Sequence, residues 1–153
     1  MEKSNLTITQ IEKSIAELTT QTDHKTLAIW AADCAEHVLP YFEKHLADDP
    51  RPRQAIAAGR AWVSGELKMT DARKAAFASH AAARDTSQFA EAEAAARAAG
   101  HAAATAHVAT HAIYAARYAS KAVQQATGSK DEVHQERDWQ YQHLLELEKD
   151  LGG

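Results

Sequence analysis

Between Phe89 and Ala126, eighteen of thirty-eight residues are alanine. Alanine is the strongest helix former, yet it buries little side chain. A helix built from it gains stability only where neighbours approach at the close end of the usual ~8–10 Å spacing. The tract therefore predicts one long helix, from about Ser87 to Ala126, lying centrally with neighbours on several sides. Gly100 would allow an especially close approach, and bulky groups such as Trp30, Trp62, Phe77 and Trp139 would come from the surrounding helices. The expected architecture is all-α: a single-domain bundle of five to six helices around this long Ala-rich central helix. It would take in residues 1–153, with 1–5 and 150–153 as flexible tails.

Helix formers fill the remainder, and no alternating apolar run of useful length predicts a strand. A first helix begins after Asn5 or Thr7 and presents Ile8, Ile11, Ile15 and Leu18 on one face. A second starts at Thr22 or Asp23, both good caps, and runs to about Ala47 with a kink at Pro40. "DDPRPR" is a loop, and Pro52 suits the first turn of a third helix that ends near "SGELK". A fourth starts at "TDARK" and runs to about Arg84. "TGSKD" ends the Ala-rich helix, and a last helix runs from Lys130 to Leu147.

Composition removes several function classes. Seventeen basic and twenty-one acidic residues give a net charge of −4, against the clustered positive field that nucleic acid requires. No run approaches the ~18 apolar residues of a membrane span, and the polar N-terminus lacks a signal-peptide core. A single cysteine, Cys34, forbids an intrachain disulfide. Together these predict a cytoplasmic protein without membrane or nucleic-acid partners.

Helical periodicity sorts the chemically active residues into stripes. Glu93, Arg97, Gly100, Ala104, His107, His111, Tyr114 and Tyr118 share one on the Ala-rich helix, which also carries His101. Arg73, Phe77, His80 and Arg84 share another. Trp30, Cys34, His37 and Tyr41 align on the second helix with Asp33 beside them, and Trp62 stacks on Glu66 with Arg60 to the side. The expectation is that these stripes turn inward as a polar seam along the alanine helix. Most histidines on such faces are packing groups whose nitrogens bond a neighbour, and Arg73 and Arg84 would pair with Glu66 or Asp33.

Sharper chemistry has weaker support. His107 and His111, at i and i+4, would present two imidazoles to a metal, with a third ligand from His37, His80 or Asp33, but the zincin glutamate is missing. Cys34, mid-helix between Asp33 and Glu36, reads as a buried, inert thiol. Asp33 with His37, or Glu66 with His80, would suit acid–base work if the geometry brought them together. No phosphate loop, nucleophile elbow or nucleotide fingerprint is present, so neither a cofactor nor a resident metal is implied and no catalytic residue is assigned.

Five segments in order, "WAADCAEHVLPYFE", "RPRQAIAAGRAWVSGEL", "ARKAAFASHAAAR", "AARAAGHAAATAHVATHAIYAARYASKAV" and "ERDWQ", resemble an all-helical, immunity-protein-5-like family of bacterial immunity proteins over about residues 27–145. The resemblance implies a small protein that binds and neutralises a cognate protein toxin. It transfers no catalytic residue. The shared positions offered as a binding set are Trp30, Asp33, His37, Arg60, Trp62, Glu66, Arg73, His80, Arg84, His101, His107 and His111. The alternative is a helical pocket protein for a small molecule or metal, or an enzyme, using the same His/Asp/Arg/Trp cluster. Trp139, Tyr141, Leu144 and Leu145 on the last helix offer a surface for a homodimer.

Overall fold

The structure, a computed structural model, describes residues 6–152; the tail expected at residues 1–5, and Gly153, lie outside them. Helices dominate and no strand occurs among the described residues. In order they are α1 (Ile8–Thr19), α2 (His24–Val38), the single turn α3 (Pro40–Glu43), α4 (Arg51–Val63), α5 (Met69–Asp85), α6 (Ala90–Ala104), α7 (His111–Thr127) and α8 (Lys130–Leu147). A π-helical turn, Glu148–Gly152, continues α8.

The caps follow local chemistry. Thr7 and Gln10 close a capping box at α1, and the Asp23 carboxylate accepts from the Thr26 amide at 2.8 Å at the start of α2. Pro40 cannot donate to the turn before it, so α2 stops at Val38 and resumes as the short α3. Gly128, at φ 63°, takes the left-handed conformation that ends α7.

The Ala-rich tract departs from expectation: it is two helices, not one. Residues 105–110 form a turn, and α6 and α7 fold back on each other as an antiparallel hairpin. The Thr105 hydroxyl donates to the His101 carbonyl at 2.9 Å, and β-branched Val108 and Thr110 weaken helix continuation. His24 of α2 donates to the Thr105 carbonyl, which the break leaves without a helical partner. The gain is burial: a forty-residue alanine rod would bury little, whereas two halves pack alanine against alanine.

The central element is therefore α6 alone. Ala92, Ala94, Ala95, Ala96, Ala98, Ala99, Ala102, Ala103 and Ala104 are all buried, with α5 and α7 flanking and α2, α3 and α4 packed against it. Gly59 of α4 brings its backbone against α6, since a Cβ there would lie 3.4 Å from the Ala102 carbonyl oxygen. On the far side α8 packs on α7 and α2, and α1 packs on α8. Bulk comes from Trp30, Phe42, Ile11, Ile15, Leu39 and Leu144, all fully buried.

Candidate functional site

The polar side chains do not form one inward seam. They divide into a buried junction beneath α2 and α8 and an open face over α5, α6 and α7, with a few isolated elsewhere.

At the α2–α8 junction, Trp30 is fully buried and donates its indole N–H to the Gln140 carbonyl at 2.8 Å. The Gln140 amide donates to the Ala116 carbonyl at 2.9 Å, while its oxygen accepts from Arg137 at 2.6 Å. Arg137, only 3% exposed, reaches Glu12 of α1 at 3.2 Å. Burial pushes the Arg137 guanidinium below its ordinary pKa. Above this floor, His37 Nδ1 lies 2.8 Å from the buried Glu136. His143 Nε2 donates to Asp33 at 2.7 Å, and Arg60 donates to the other Asp33 oxygen at 2.8 Å. The hydrogen bond to Glu136 raises the His37 pKa. Trp139 packs between the two imidazoles, 4.1 Å from the His37 ring and 5.0 Å from the His143 ring. The result is an open groove of about 400 Å³ lined by Asp33, Glu36, His37, Trp139 and His143. Cys34 is buried below it, and burial pushes its thiol pKa well up, as an inert thiol requires.

This pairing differs from expectation. Asp33 serves His143 and Arg60, and Glu136 serves His37, so Asp33 and His37 do not form an acid–base pair with each other. Sequence periodicity alone does not mark Glu136, Arg137, Gln140 or His143. The first three belong to the motif "ERDWQ", two of whose partners, Trp30 and His37, lie about a hundred residues away in α2; His143 lies outside that motif.

On the α5–α6–α7 face, Gly100 opens a slot that the His80 ring fills: a Cβ at Gly100 would come within 2.7 Å of that ring. His80 meets His101 edge to face, with centroids 4.8 Å apart. His101 Nδ1 lies 2.9 Å from His111 Nδ1, and its ring stacks on Tyr118 at 5.3 Å. Burial, then the nearby Arg97, His111 and Arg84 charges, lowers the His80 pKa to about 4. Burial and the neighbouring imidazoles lower His101 to about 4 as well, and burial lowers His111. All three face solvent at one edge, and the apolar groups around them are exposed: Phe77 at 59%, Tyr114 at 43% and Val108 at 41%. A groove of about 340 Å³ between α6 and α7 is lined by Arg97, Lys121, Tyr118, Ser87, Gln125 and Glu93, among others.

The remaining expected residues lie apart. Trp62 packs against His24 with centroids 4.7 Å apart. Glu66 falls beyond the end of α4 and is exposed, so it neither stacks on Trp62 nor meets His80. Arg73 and Arg84 are exposed and pair with neither Glu66 nor Asp33; Arg73 lies over Phe77 instead. His107 sits exposed in the α6–α7 turn, so no helical i, i+4 pair with His111 forms. Among the described residues no three His, Cys, Asp or Glu side chains are placed to hold a metal ion. Phe77 is a surface group rather than core packing.

Fold and site define an all-α protein whose polar groups sit at one helix junction and on one open face. No helix among the described residues is long and apolar enough to cross a membrane. The profile of the family described as "Imm-5 like putative immunity protein" matches residues 17–147, and the chain belongs to that family. No curated protein and no solved structure matches it.

Proposed function

We propose that the protein neutralises a cognate protein toxin by binding it stoichiometrically, without turnover. The observation that supports this reading is the α5–α6–α7 face, where Phe77, Val108 and Tyr114 are exposed among arginines and histidines. Aromatic groups and arginine are the residues that anchor protein interfaces, and a soluble chain gains nothing for its own fold by exposing them. Family membership supplies the class of partner. The test is co-expression with candidate toxins drawn from the genes that neighbour its own. Growth rescue by the wild-type chain, lost on Phe77→Ala plus Tyr114→Ala with the fold intact, is the expected result. Rescue unchanged by the double variant would move the contact elsewhere, and no rescue by the wild type would remove the function.

A second reading rests on the α2–α8 groove. An imidazole oriented by a carboxylate beside an open groove, as His143 is by Asp33, is the arrangement of a general acid–base site. Quenching of Trp139 fluorescence by a small-molecule library, abolished in His143→Gln, would support it; no saturable quenching would leave the pair as a structural tie.

A further inference from the structure

The face proposed to meet the toxin differs from the rest of the molecule in how its arginines are satisfied. Arg51, Arg53, Arg60 and Arg137 each have a carboxylate partner within 4.0 Å. Arg73, Arg84, Arg97, Arg117 and Lys121, all on α5, α6 and α7, have none among the described residues. Three of them lie over aromatic rings instead: Arg73 over Phe77 at 5.3 Å, Arg117 over Tyr114 at 5.5 Å and Lys121 over Tyr118 at 5.8 Å. A ring holds a cation in place without neutralising it. The Tyr114 and Tyr118 rings both meet His101, which in turn contacts His80 and His111 across α6, and Phe77 lies three residues before His80 on α5.

Charge is segregated on the larger scale too. Residues 69–127 hold six Lys/Arg and four Asp/Glu, a balance of +2 in a chain whose total is −4, which leaves −6 on the remainder. Two of those four acids are already engaged elsewhere, Asp85 with Arg51 and Glu91 with Lys44. On the face itself the groove between α6 and α7 sets Arg97 and Lys121 against a single carboxylate, Glu93, with the Ser87 and Gln125 side chains at its edge.

We propose that this face receives an acidic surface of the protein partner, with one carboxylate side chain of the partner entering the Arg97–Lys121 groove and Phe77 and Tyr114 supplying apolar contact on either side. The inference rests on the toxin-binding reading and names the partner's chemistry. A protein is favoured over nucleic acid because the chain as a whole is acidic, and a phosphate backbone would be repelled beyond the rim of the face. Exposed aromatic groups with cations laid over them suit a protein interface.

The test is calorimetric titration of the full chain, at low and high salt, with the purified toxin that the co-expression test identifies. Arg97→Glu with Lys121→Glu is compared against Lys13→Glu with Lys130→Glu, which changes net charge equally on exposed positions of α1 and α8. The expected result is affinity that weakens as salt rises, a loss of about 100-fold in the first double variant, and a change under about threefold in the second. Arg73→Glu with Arg117→Glu repeats the measurement at fully surface positions, guarding against misfolding of the groove variant. A complex indifferent to both reversals on the face overturns the inference and leaves toxin binding standing. Equal loss in the control variant also overturns it, since net charge alone would then decide. No complex with the wild-type chain overturns the toxin-binding reading itself. Binding of a twenty-nucleotide oligouridylate more tightly than the protein would reassign the face to nucleic acid and overturn the inference.

Discussion

Histidine is used in opposite ways at the two ends of this molecule. At the α2–α8 junction, His37 and His143 each donate to a carboxylate. On the α5–α7 face, His80, His101 and His111 stand beside one another and near uncompensated cations. Glu136 favours the charged form of His37, while burial and neighbouring positive charge disfavour it for His80 and His101. The same side chain is thus a tie in one region and a neutral aromatic tile in the other. The difference teaches where stability and recognition reside: groups satisfied internally hold helices together, and groups left unsatisfied remain for a partner.

The largest test of that division is a pair of truncations. Trp30→Ala removes a fully buried indole and its bond to Gln140, and should lower unfolding free energy by about 3–5 kcal/mol in urea denaturation. Tyr114→Ala, on the open face, should change it by less than about 0.5 kcal/mol. Comparable losses would erase the distinction.

Next in size is Glu136→Gln. It leaves shape nearly unchanged but takes the charge from a carboxylate bonded to both His37 and Gln140. A loss of about 1–3 kcal/mol is expected. The His37 pKa, followed by NMR, should fall towards its ordinary value; a His37 titration unmoved by the change would show that Glu136 does not hold it.

Acidification should separate the two histidine sets. For His80 and His101 the folded pKa, about 4, lies below the ordinary 6.5. The unfolded chain therefore binds more protons between those values. Their contribution is complete above pH 6.5 and is lost as pH falls towards 4. For His37 the folded pKa is raised, so its contribution is complete below 6.5 and is lost as pH rises through the folded value. Replacing His80 and His101 by Gln should flatten the acid limb of the stability curve, by about 1 kcal/mol after allowance for solvent screening, and His37→Gln should flatten the other. Identical curves for both variants would contradict the assignment.

The smallest effect is expected at Gly100. An added Cβ would strike the His80 ring at 2.7 Å, yet that ring is the partly exposed end of a flexible side chain. Helix propensity gains about 1 kcal/mol from Gly→Ala. Gly100→Ala should therefore leave stability within about 1 kcal/mol and abolish the His80–His101 contact, visible as a change in the His101 ring shifts. A loss well beyond that range would mean that His80 is locked rather than laid in its slot.

The caps at Thr7 and Asp23, the interruption at Pro40 and the span of α8 were legible because each depends on groups a few residues apart. The break at residues 105–110 was not. The tract contains no proline, and Gly100, its only glycine, lies within α6, so propensity favours continuation. His24, eighty-one residues away, satisfies the carbonyl that the break exposes. Of the candidate site, helical spacing puts Arg73, Phe77, His80 and Arg84 on one stripe, but periodicity cannot tell a face turned to the core from one turned to water. Glu66 shows the same limit: four-residue spacing from Trp62 means nothing once the helix has ended at Val63.

What the sequence determined by itself was the helical class, most helix starts and the family, because alanine content, capping side chains and ordered motifs act locally or are read in order. Only the tertiary structure decided that the alanine tract folds into a hairpin, that His143 rather than His37 takes Asp33, and that five cations keep no carboxylate among the described residues. Those outcomes turn on which surfaces meet. Residues 110 positions apart, such as Trp30 and Gln140, find each other only when burial of the alanine faces has brought their helices together.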